Sequence, residues 1–344
     1  MRLGTLDLGD APVYLAPMAG VTNEAFRRLC HEQGATVVMS EMVSARALAM
    51  GNERTEAMLG VAPDEHPVAV QLFGSEPDMV AEAARKAEAA GADIVDLNLG
   101  CPVEKIVKGG HGAALLREPE RAAEVVQAAA RAIRVPFTVK MRAGWDSVTA
   151  PEVAARLADA GAKAIALHCR TRAQQYTGRA DWTILERVRE RLPDDVWLIG
   201  NGDIQTAADV RTVLSQHGAD AVMVGRGALG NPWVFAEIRT ALREGEAPPP
   251  TPMDVRLDTL LRHFELLRAL KGDALAVVEI RRHAAHYVRG MPGAAEARVR
   301  LQQTPTVESF VEEIERYRAE VAARLGAHQA PSAEEPARAL TRTG

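Results

Sequence analysis

The chain has 344 residues, of which 47% are hydrophobic and 25% charged, and its formal net charge is −5. A chain of this length can bury a full core, so the composition excludes a small disulfide-held module and predicts one large domain with a smaller appendage. The cysteines, Cys30, Cys101 and Cys169, are odd in number and widely spaced, which fits neither a disulfide framework nor a CxxC metal site. We therefore expect no metal.

The start of the chain, MRLGTLDLGD, lacks the basic residues and the long apolar segment of a signal peptide, and no apolar run approaches a membrane span. We therefore expect a soluble, cytoplasmic protein without a membrane partner. The negative net charge does not indicate a nucleic-acid-binding protein. A basic cluster nevertheless stands out, made of Arg281, Arg282, Arg289, Arg298 and Arg300. It is either a solvated helix face or a contact for an anionic partner.

Short apolar runs alternate with alanine-rich amphipathic stretches over residues 1–245, which is the pattern of repeated βα units and a parallel sheet. The predicted strands are 13–16, 37–39, 68–72, 94–97, 137–141, 164–167, 196–199 and 221–224. Helices are predicted at 23–33, 78–90, 120–132, 151–160, 182–191, 207–216 and 232–243. Eight units favour a (β/α)8 TIM barrel over the alternative, an open doubly wound sheet.

The proline-rich segment APPPTP ends the predicted barrel, because proline cannot continue a helix. Helical periodicity returns after it without a strand pattern, at 253–270, 274–289, 294–302 and 307–325. We therefore predict a catalytic barrel over 1–245, a connector over 246–252 and a small all-helical domain over 253–326. The polar remainder, 327–344, is expected to be a disordered tail.

Polar or small residues follow almost every predicted strand. Chemistry in a TIM barrel lies at the carboxyl ends of the strands, so these residues are candidates for a single site. In strand order they are Pro17, Met18, Ala19, Gln71, Asn98, Cys101, Lys140, Arg142, His168, Asn201, Gly202, Asp203, Gly225 and Arg226. Taken singly, Lys140 fits a surface lysine, His168 a core histidine and Cys101 a small buried apolar residue. Their joint placement favours a functional site.

The segment GRGALG, residues 225–230, matches the GxGxxG pattern of dinucleotide-binding folds. We reject that interpretation, because no second strand follows to supply its acidic residue. The small residues after the last two strands instead predict the phosphate cup of a barrel, with Arg226 as a fixed cation. Gln71 can donate and accept at a polar ring edge, and Lys140 can offset negative charge on a reduced ring. This set suits flavin mononucleotide, FMN.

Eight motifs, in this order, resemble the tRNA-dihydrouridine synthases and most closely their bacterial B-type branch. They are APMAGVTNEAFR, SEM, QLFGSEP, DLNLGCPVEKIVKGGHGAALL, VKMRAGWD, HCRTRAQQYTGRADW, GNGDI and VGRGALGNPW. The resemblance covers the chain except for its tail. It implies an FMN-containing barrel with a helical tRNA-binding domain. Such an enzyme uses NADPH, or alternatively NADH, to reduce uridines of the tRNA D-loop to 5,6-dihydrouridine.

The resemblance also implies residue roles. FMN contacts would come from Pro17, Met18, Ala19, Gln71, Lys140, His168, Asn201, Gly202, Asp203, Gly225 and Arg226. Cys101 would give a proton to C5 of the uracil after hydride reaches C6, Asn98 would face the uracil, and Arg142 would lie near the RNA. Arg281 and Arg282 are the expected tRNA contacts of the helical domain, and we expect a monomer. Cys169 departs from the branch, where glycine is usual.

Two other functions stay open from the sequence. One is a flavin barrel that acts on a free small molecule, such as a dihydropyrimidine or dihydroorotate oxidoreductase. The helical domain and the basic cluster argue against it. The other is a tRNA-binding folding factor with a vestigial flavin, against which the intact Cys101, Lys140 and Asn98 argue.

Overall fold

The computed structural model describes residues 1–329 of the chain, in which short strands alternate with helices. The strands are β1 (Arg2–Leu3), β2 (Leu6–Asp7), β3 (Val13–Leu15), β4 (Val37–Met39), β5 (Val43–Ser44), β6 (Val68–Phe73), β7 (Ile94–Leu99), β8 (Phe137–Arg142), β9 (Ala164–His168), β10 (Trp197–Asn201) and β11 (Ala221–Val224). The helices are α1 (Glu24–Glu32), α2 (Ala45–Ala49), α3 (Glu53–Glu56), α4 (Pro77–Ala89), α5 (Glu104–Lys108), α6 (Pro119–Ala132), α7 (Ala150–Asp159), α8 (Thr183–Arg189), α9 (Ala207–Gln216), α10 (Val234–Glu244), α11 (Met253–Lys271), α12 (Asp273–Tyr287), α13 (Ala294–Gln303) and α14 (Val307–Gln329).

Eight of these strands close into a parallel barrel. β3 pairs with β4 on one side and with β11 on the other, β4 pairs with β6, and β6 through β11 pair consecutively. The predicted (β/α)8 barrel is confirmed, and each of its strands lies within two residues of its predicted bounds. The open sheet is excluded, because the pair of β3 and β11 closes the ring.

The barrel interior is apolar at the amino-terminal end of the strands and polar at the carboxyl end. Successive strand residues face opposite sides, so Ile94, Asp96 and Asn98 of β7 all face inward. Ile94 belongs to the apolar cluster at the barrel floor, to which Leu3 and Leu8 also contribute. These two leucines come from the hairpin of β1 and β2, which the sequence did not predict. The hairpin therefore adds apolar cover to the floor, and the polar layer lies above it.

Alanine-rich helix faces surround the barrel. The buried face of α4 includes Ala83, Ala84 and Ala87, and that of α6 includes Ala122 and Ala129. Small side chains at helical spacing let a helix lie close to the sheet and to its neighbour. The alanine pattern noted in the sequence is thus the packing face of the outer helical layer.

The chain divides into two compact units, the first Met1–Thr251 and the second from Pro252 onward. Over the described residues the second unit consists of α11 to α14, and the predicted helical region after the barrel is confirmed. Its core includes Phe264 of α11 and Phe310 of α14, whose ring centroids are 4.7 Å apart. α14 continues through 327–329, which had been assigned to the tail, while 330–344 lie outside the described residues. None of the helices over residues 1–329 combines the length and apolar character needed to cross a membrane.

Two histidines are buried in the core of the second unit. His263 of α11 and His283 of α12 have ring centroids 4.7 Å apart, and their side chains are almost completely buried. Burial lowers the pKa of His263 well below its ordinary value and lowers the pKa of His283 to about 4. Both rings are therefore neutral in the folded protein near neutral pH.

These histidines should make the second unit acid-sensitive. Between about pH 6.5, the unfolded histidine pKa, and the folded value, the unfolded chain binds protons that the folded chain does not, so stability falls as pH falls. We expect amide hydrogen exchange in α11 and α12, corrected for the intrinsic pH dependence of exchange, to be faster near pH 5 than near pH 7. His283→Gln should weaken this pH dependence, whereas the control His217→Gln, in the first unit, should not.

Candidate active site

The carboxyl ends of the barrel strands form one pocket. It is lined by Ala16, Pro17, Met18, Lys140, His168, Tyr176, Asn201, Gly202, Asp203, Ile204, Gln205, Gly225, Arg226 and Gly227. Most of the residues predicted to contact the cofactor therefore line this one pocket. Ala19 lies on an exposed turn next to this lining, and Gln71, Asn98 and Cys101 form a separate polar group. Arg281 and Arg282 belong to the second unit.

Small residues shape one side of the pocket. Gly202 has φ +113°, and a Cβ there would lie 2.9 Å from the His168 ring and 2.8 Å from Ala180 Cβ. A Cβ on Gly227 would lie 3.3 Å from the carbonyl oxygen of Ile204. Both glycines thus occur where a side chain would crowd the cup. Arg226, half exposed, adds a cation at its rim.

The Asp203 carboxylate organises this side of the pocket by accepting four hydrogen bonds. The Arg170 guanidinium donates to both carboxylate oxygens, at 3.0 and 2.6 Å. Arg226 Nη2 donates at 3.0 Å, and the backbone N–H of Ala180 at 2.9 Å. Burial acts to raise the pKa of Asp203, but the hydrogen bonds from Arg170 and Ala180, together with the charges of Arg170 and Arg226, outweigh it, so the pKa is lowered. Asp203 therefore aims Arg226 and ties the loop after β9 to the loop after β10, while its direct contact with a cofactor stays a prediction.

Lys140 and His168 form the inner wall of the pocket. Burial, and next Arg142, lowers the pKa of Lys140 to about 8, against the opposing charge of Asp96. Burial, then the charges of Lys140, Arg142 and Arg170, lowers the pKa of His168 to about 2. The imidazole is therefore neutral, and its buried Nε2 has no hydrogen-bond partner among the described residues. A buried ring nitrogen left unsatisfied beside a cation suits a polar ligand in the pocket.

Beside the pocket, the interior amides connect to the loop that carries Cys101. Asn98 Nδ2 donates to Gln71 Oε1 at 2.8 Å, and Asn98 Oδ1 accepts from the backbone N–H of Gly100 and Cys101 at 3.1 and 2.9 Å. Burial raises the pKa of the half-buried Cys101 thiol above its ordinary value. The thiol is therefore protonated near neutral pH and can serve as an acid.

Arg142 supports the same loop from its other side. Its side chain is only 2% exposed, and it donates to the backbone carbonyls of Gly100 at 2.9 Å, Thr171 at 3.0 Å and Gln175 at 2.7 Å. These bonds join the loop after β7 to the loop after β9. The geometry gives Arg142 a supporting position, and the expected proximity to RNA stays a prediction.

Sequence reasoning missed two residues of the site, Tyr176 and Asp96. Tyr176 is 55% exposed, and its ring centroid lies 5.2 Å from the guanidinium carbon of Arg142 and 4.9 Å from that of Arg226. A lone aromatic in the polar segment QQYTG was the available signal. Asp96 is buried inside the barrel, where it accepts from Gln71. The signal there was a carboxylate within an apolar run.

Cys169, the departure from the expected motif, does not line the pocket. Its side chain is buried, with Sγ 3.7 Å from the carbonyl oxygen of Leu167, and burial raises its pKa. Strand alternation explains this placement, because consecutive residues point to opposite sides. A cysteine at this position therefore adds no side chain to the cup beside His168.

The basic cluster of the second unit is partly neutralised. Arg300 forms ion pairs with Glu313 at 2.7 Å and Glu320 at 2.9 Å. Arg281 donates to the backbone carbonyls of Val277 and Gln302, whereas Arg282 is exposed. Fewer positive charges face solvent than the sequence suggested. Over residues 1–329, no group of His, Cys, Asp and Glu side chains is arranged to hold a metal ion.

The fold and this site together define a TIM-barrel enzyme whose chemistry takes place at the carboxyl ends of the strands. Two solved structures share the fold at low sequence identity. Morphinone reductase in complex with tetrahydroNAD matches with TM-score 0.51 and 18% identity, over 73% of this chain and 92% of that one. Histamine dehydrogenase from Rhizobium sp. 4-9 matches with TM-score 0.55 and 11% identity, over 94% and 64%.

The sequence comparisons then identify the family. The dihydrouridine synthase family model matches residues 14–323. A probable tRNA-dihydrouridine synthase of Rickettsia bellii is 40% identical, over 89% of this chain and 94% of that protein. tRNA-dihydrouridine synthase B of Pseudomonas aeruginosa is 39% identical, over 88% and 92%. The chain belongs to the dihydrouridine synthase family, and the resemblance found in the sequence is confirmed.

A pair of glycine substitutions tests the shape of the cup. Gly202→Ala and Gly178→Ala both place alanine at positive φ, but a Cβ on Gly178 would meet nothing within 4 Å. We expect Gly202→Ala to lower the free energy of unfolding by about 2 kcal/mol more than Gly178→Ala, because Gly202 adds a clash and its φ of +113° strains alanine more than the left-handed φ of +64° at Gly178. Urea unfolding measures this difference, and Gly202→Ala should also retain less of the expected FMN. Equal losses in the two variants would contradict a tight cup.

Proposed function

We propose that this enzyme reduces uridines in the D-loop of tRNA to 5,6-dihydrouridine, with FMN as its bound cofactor and NADPH as the electron donor. Membership of the dihydrouridine synthase family supports tRNA dihydrouridine synthesis. One observation carries the proposal of an FMN-dependent reduction: four features lie at one face of the barrel. They are the small residues of the pocket, Lys140, the neutral His168 and the protonated thiol of Cys101. The proposal places the enzyme in the cytoplasm as a monomer.

The residues of the pocket fit FMN. Gly225 and Arg226 would hold the phosphate, since small residues and a guanidinium suit an anion. His168 Nε2, buried without a partner among the described residues, would gain one from the cofactor. Lys140 and Gln71 would serve the polar edge of the ring. When bound, reduced FMN supplies the hydride that reaches C6 of the uracil.

The second half of the reduction is a proton transfer, and Cys101 would carry it. Hydride at C6 leaves negative charge that is resolved by protonation at C5, so that one hydride and one proton saturate the C5–C6 bond. The raised pKa of the thiol keeps its proton available near neutral pH. Arg142 donates to the Gly100 carbonyl, and Asn98 accepts from the backbone N–H of Cys101, so both side chains hold the loop of Cys101 in place. The acid would therefore meet C5 from a fixed position.

The substrate base lies within a folded RNA and must leave its stack to reach a barrel mouth. The exposed members of the basic cluster would bind the tRNA backbone, reading shape and phosphate. Arg282 is one such side chain, and Arg281 lies beside it on α12.

Position-by-position mapping of dihydrouridine in cellular tRNA tests the proposal. Deletion of the gene should remove dihydrouridine from D-loop positions, and the wild-type gene should restore it. The variant Cys101→Ala should not restore it, although the purified variant should keep FMN and its reduction by NADPH. We expect its tRNA turnover to fall at least about 100-fold, the usual size of a general-acid contribution.

Cys30→Ala is the matched control for this experiment, because Cys30 is buried in α1 and does not line the pocket. It should restore dihydrouridine fully. Full restoration by Cys101→Ala would contradict the acid role. Unchanged tRNA after gene deletion, with no second synthase present, would instead favour a free-pyrimidine reductase or a tRNA-binding factor.

Charge reversal tests the basic cluster. The double variant Arg281→Glu, Arg282→Glu should weaken tRNA binding and reduce the slope of log affinity against log salt by about 1 or more, because phosphate contacts release counterions. Arg131 and Arg134, exposed at and beyond the end of α6, provide a control with the same change in net charge. Binding isotherms at several salt concentrations measure both variants. Identical salt slopes for the two double variants would contradict a specific contact at α12.

A further inference from the structure

A buried carboxylate inside the barrel heads a chain of hydrogen bonds that ends at the loop of Cys101. Asp96 is 1% exposed and pairs in register with Gln71 of β6 on one side and Thr138 of β8 on the other. Thr138 Oγ1 donates to Asp96 Oδ1 at 2.6 Å, and Gln71 Nε2 donates to Asp96 Oδ2 at 2.8 Å. The family comparison and the proposed mechanism leave Asp96 without a role.

The direction of every bond in this chain follows from its two ends. At one end the carboxylate can only accept, so Gln71 must turn Nε2 toward Asp96 and Oε1 toward Asn98. At the other end the backbone N–H groups of Gly100 and Cys101 can only donate, so Asn98 must turn Oδ1 toward them. Asn98 Nδ2 is then the donor that Gln71 Oε1 requires, and it lies at 2.8 Å.

The Asp96 carboxyl is ionised near neutral pH, so it can act only as a hydrogen-bond acceptor. Burial raises its pKa to about 6, opposed by the hydrogen bonds from Thr138 and Gln71 and by the charge of Lys140. Near neutral pH both carboxylate oxygens are therefore acceptors. An apolar side chain at this position could fill the space but would leave Gln71 Nε2 without its acceptor, so Gln71 would no longer be a fixed partner for Asn98.

We propose that Asp96 is a positioning residue that, through the amides of Gln71 and Asn98, orients the loop bearing Cys101. It touches neither cofactor nor substrate in this role. The orientation of Gln71 is set at the same time, so its second amide hydrogen and second carbonyl lone pair have one fixed arrangement for a ligand. Only the value of this orientation for catalysis rests on the proposed function.

The test measures the exposure and hydrogen bonding of the Cys101 loop and does not use enzyme activity. Hydrogen exchange of the Gly100 and Cys101 amides reports the Asn98 bonds, and the alkylation rate of the Cys101 thiol reports loop exposure. Cys30 and Cys169 are almost completely buried, so alkylation of the folded holoenzyme reports mainly Cys101. In Asp96→Leu we expect both rates to rise by about tenfold, the effect of losing one net hydrogen bond. In the control Thr138→Val both should stay within about twofold of wild type, because Asp96 still accepts from Gln71.

A polarity swap separates orientation from simple loss of packing. The double variant Asp96→Asn, Gln71→Glu moves the carboxylate along the chain without changing the number of heavy atoms. Glu at position 71 accepts from Asn98 Nδ2 and from the new amide at 96, whose oxygen accepts from Thr138. Because Gln71 is also an expected FMN contact, FMN is kept in excess in every sample, and we expect both rates to return to within about twofold of wild type.

Failure of the swap to restore both rates would overturn the proposal, and so would a folded Asp96→Leu with wild-type rates. If Asp96→Leu does not fold, the double variant alone tests whether Asp96 orients the loop. These measurements do not depend on tRNA. A negative dihydrouridine map would therefore reject the proposed function and leave the positioning result standing.

Discussion

The register of the closed parallel barrel is the constraint on which the site depends. In a closed ring, alternate residues of every strand must face the interior, so the last inward residues of neighbouring strands meet at one mouth. Asn98 is paired in register with Lys140, and His168 with Asn201. A slip of one residue in any of these strands would turn its polar group outward. Closure of the ring therefore sets the positions of these strand-end side chains, and the loops only add to them.

The charges of Asp96 and Lys140 are tolerated in the barrel interior because each stabilises the charged form of the other. Burial destabilises the charged forms of both Asp96 and Lys140, and each charge favours the other. Their pKa values, about 6 and about 8, both approach neutrality from opposite sides. At His168, burial and the charges of Lys140, Arg142 and Arg170 outweigh the opposing charge of Asp203, so the ring stays neutral. Above the apolar floor, the interior thus places the opposite charges of Asp96 and Lys140 near the neutral ring of His168.

The sequence predicted those features whose signal is local. Apolar runs located the eight strands, and the residues that follow them indicated the pocket, because strand ends and barrel mouths coincide. The hairpin of β1 and β2 was missed because two-residue strands show no periodicity. The bonds of Arg142 were also beyond prediction, since its acceptors Thr171 and Gln175 are 29 and 33 residues away along the chain. Long-range partners of a polar residue are set by the fold and leave no pattern in the sequence.

The loop of Cys101 shows why such partners matter for chemistry. Its backbone carbonyl at Gly100 is held by Arg142, and its N–H groups are held by Asn98, so opposite faces of the loop are anchored by side chains of adjacent strands. A third contact fixes the far side, where the N–H of Ala113 donates to the carbonyl of Cys101 at 3.2 Å. An irregular segment bound at three points has little freedom to move its side chain. In the proposed reaction, a thiol with a raised pKa would be a weak acid, and this fixed loop would offset that weakness by holding the proton close to the atom at which negative charge develops.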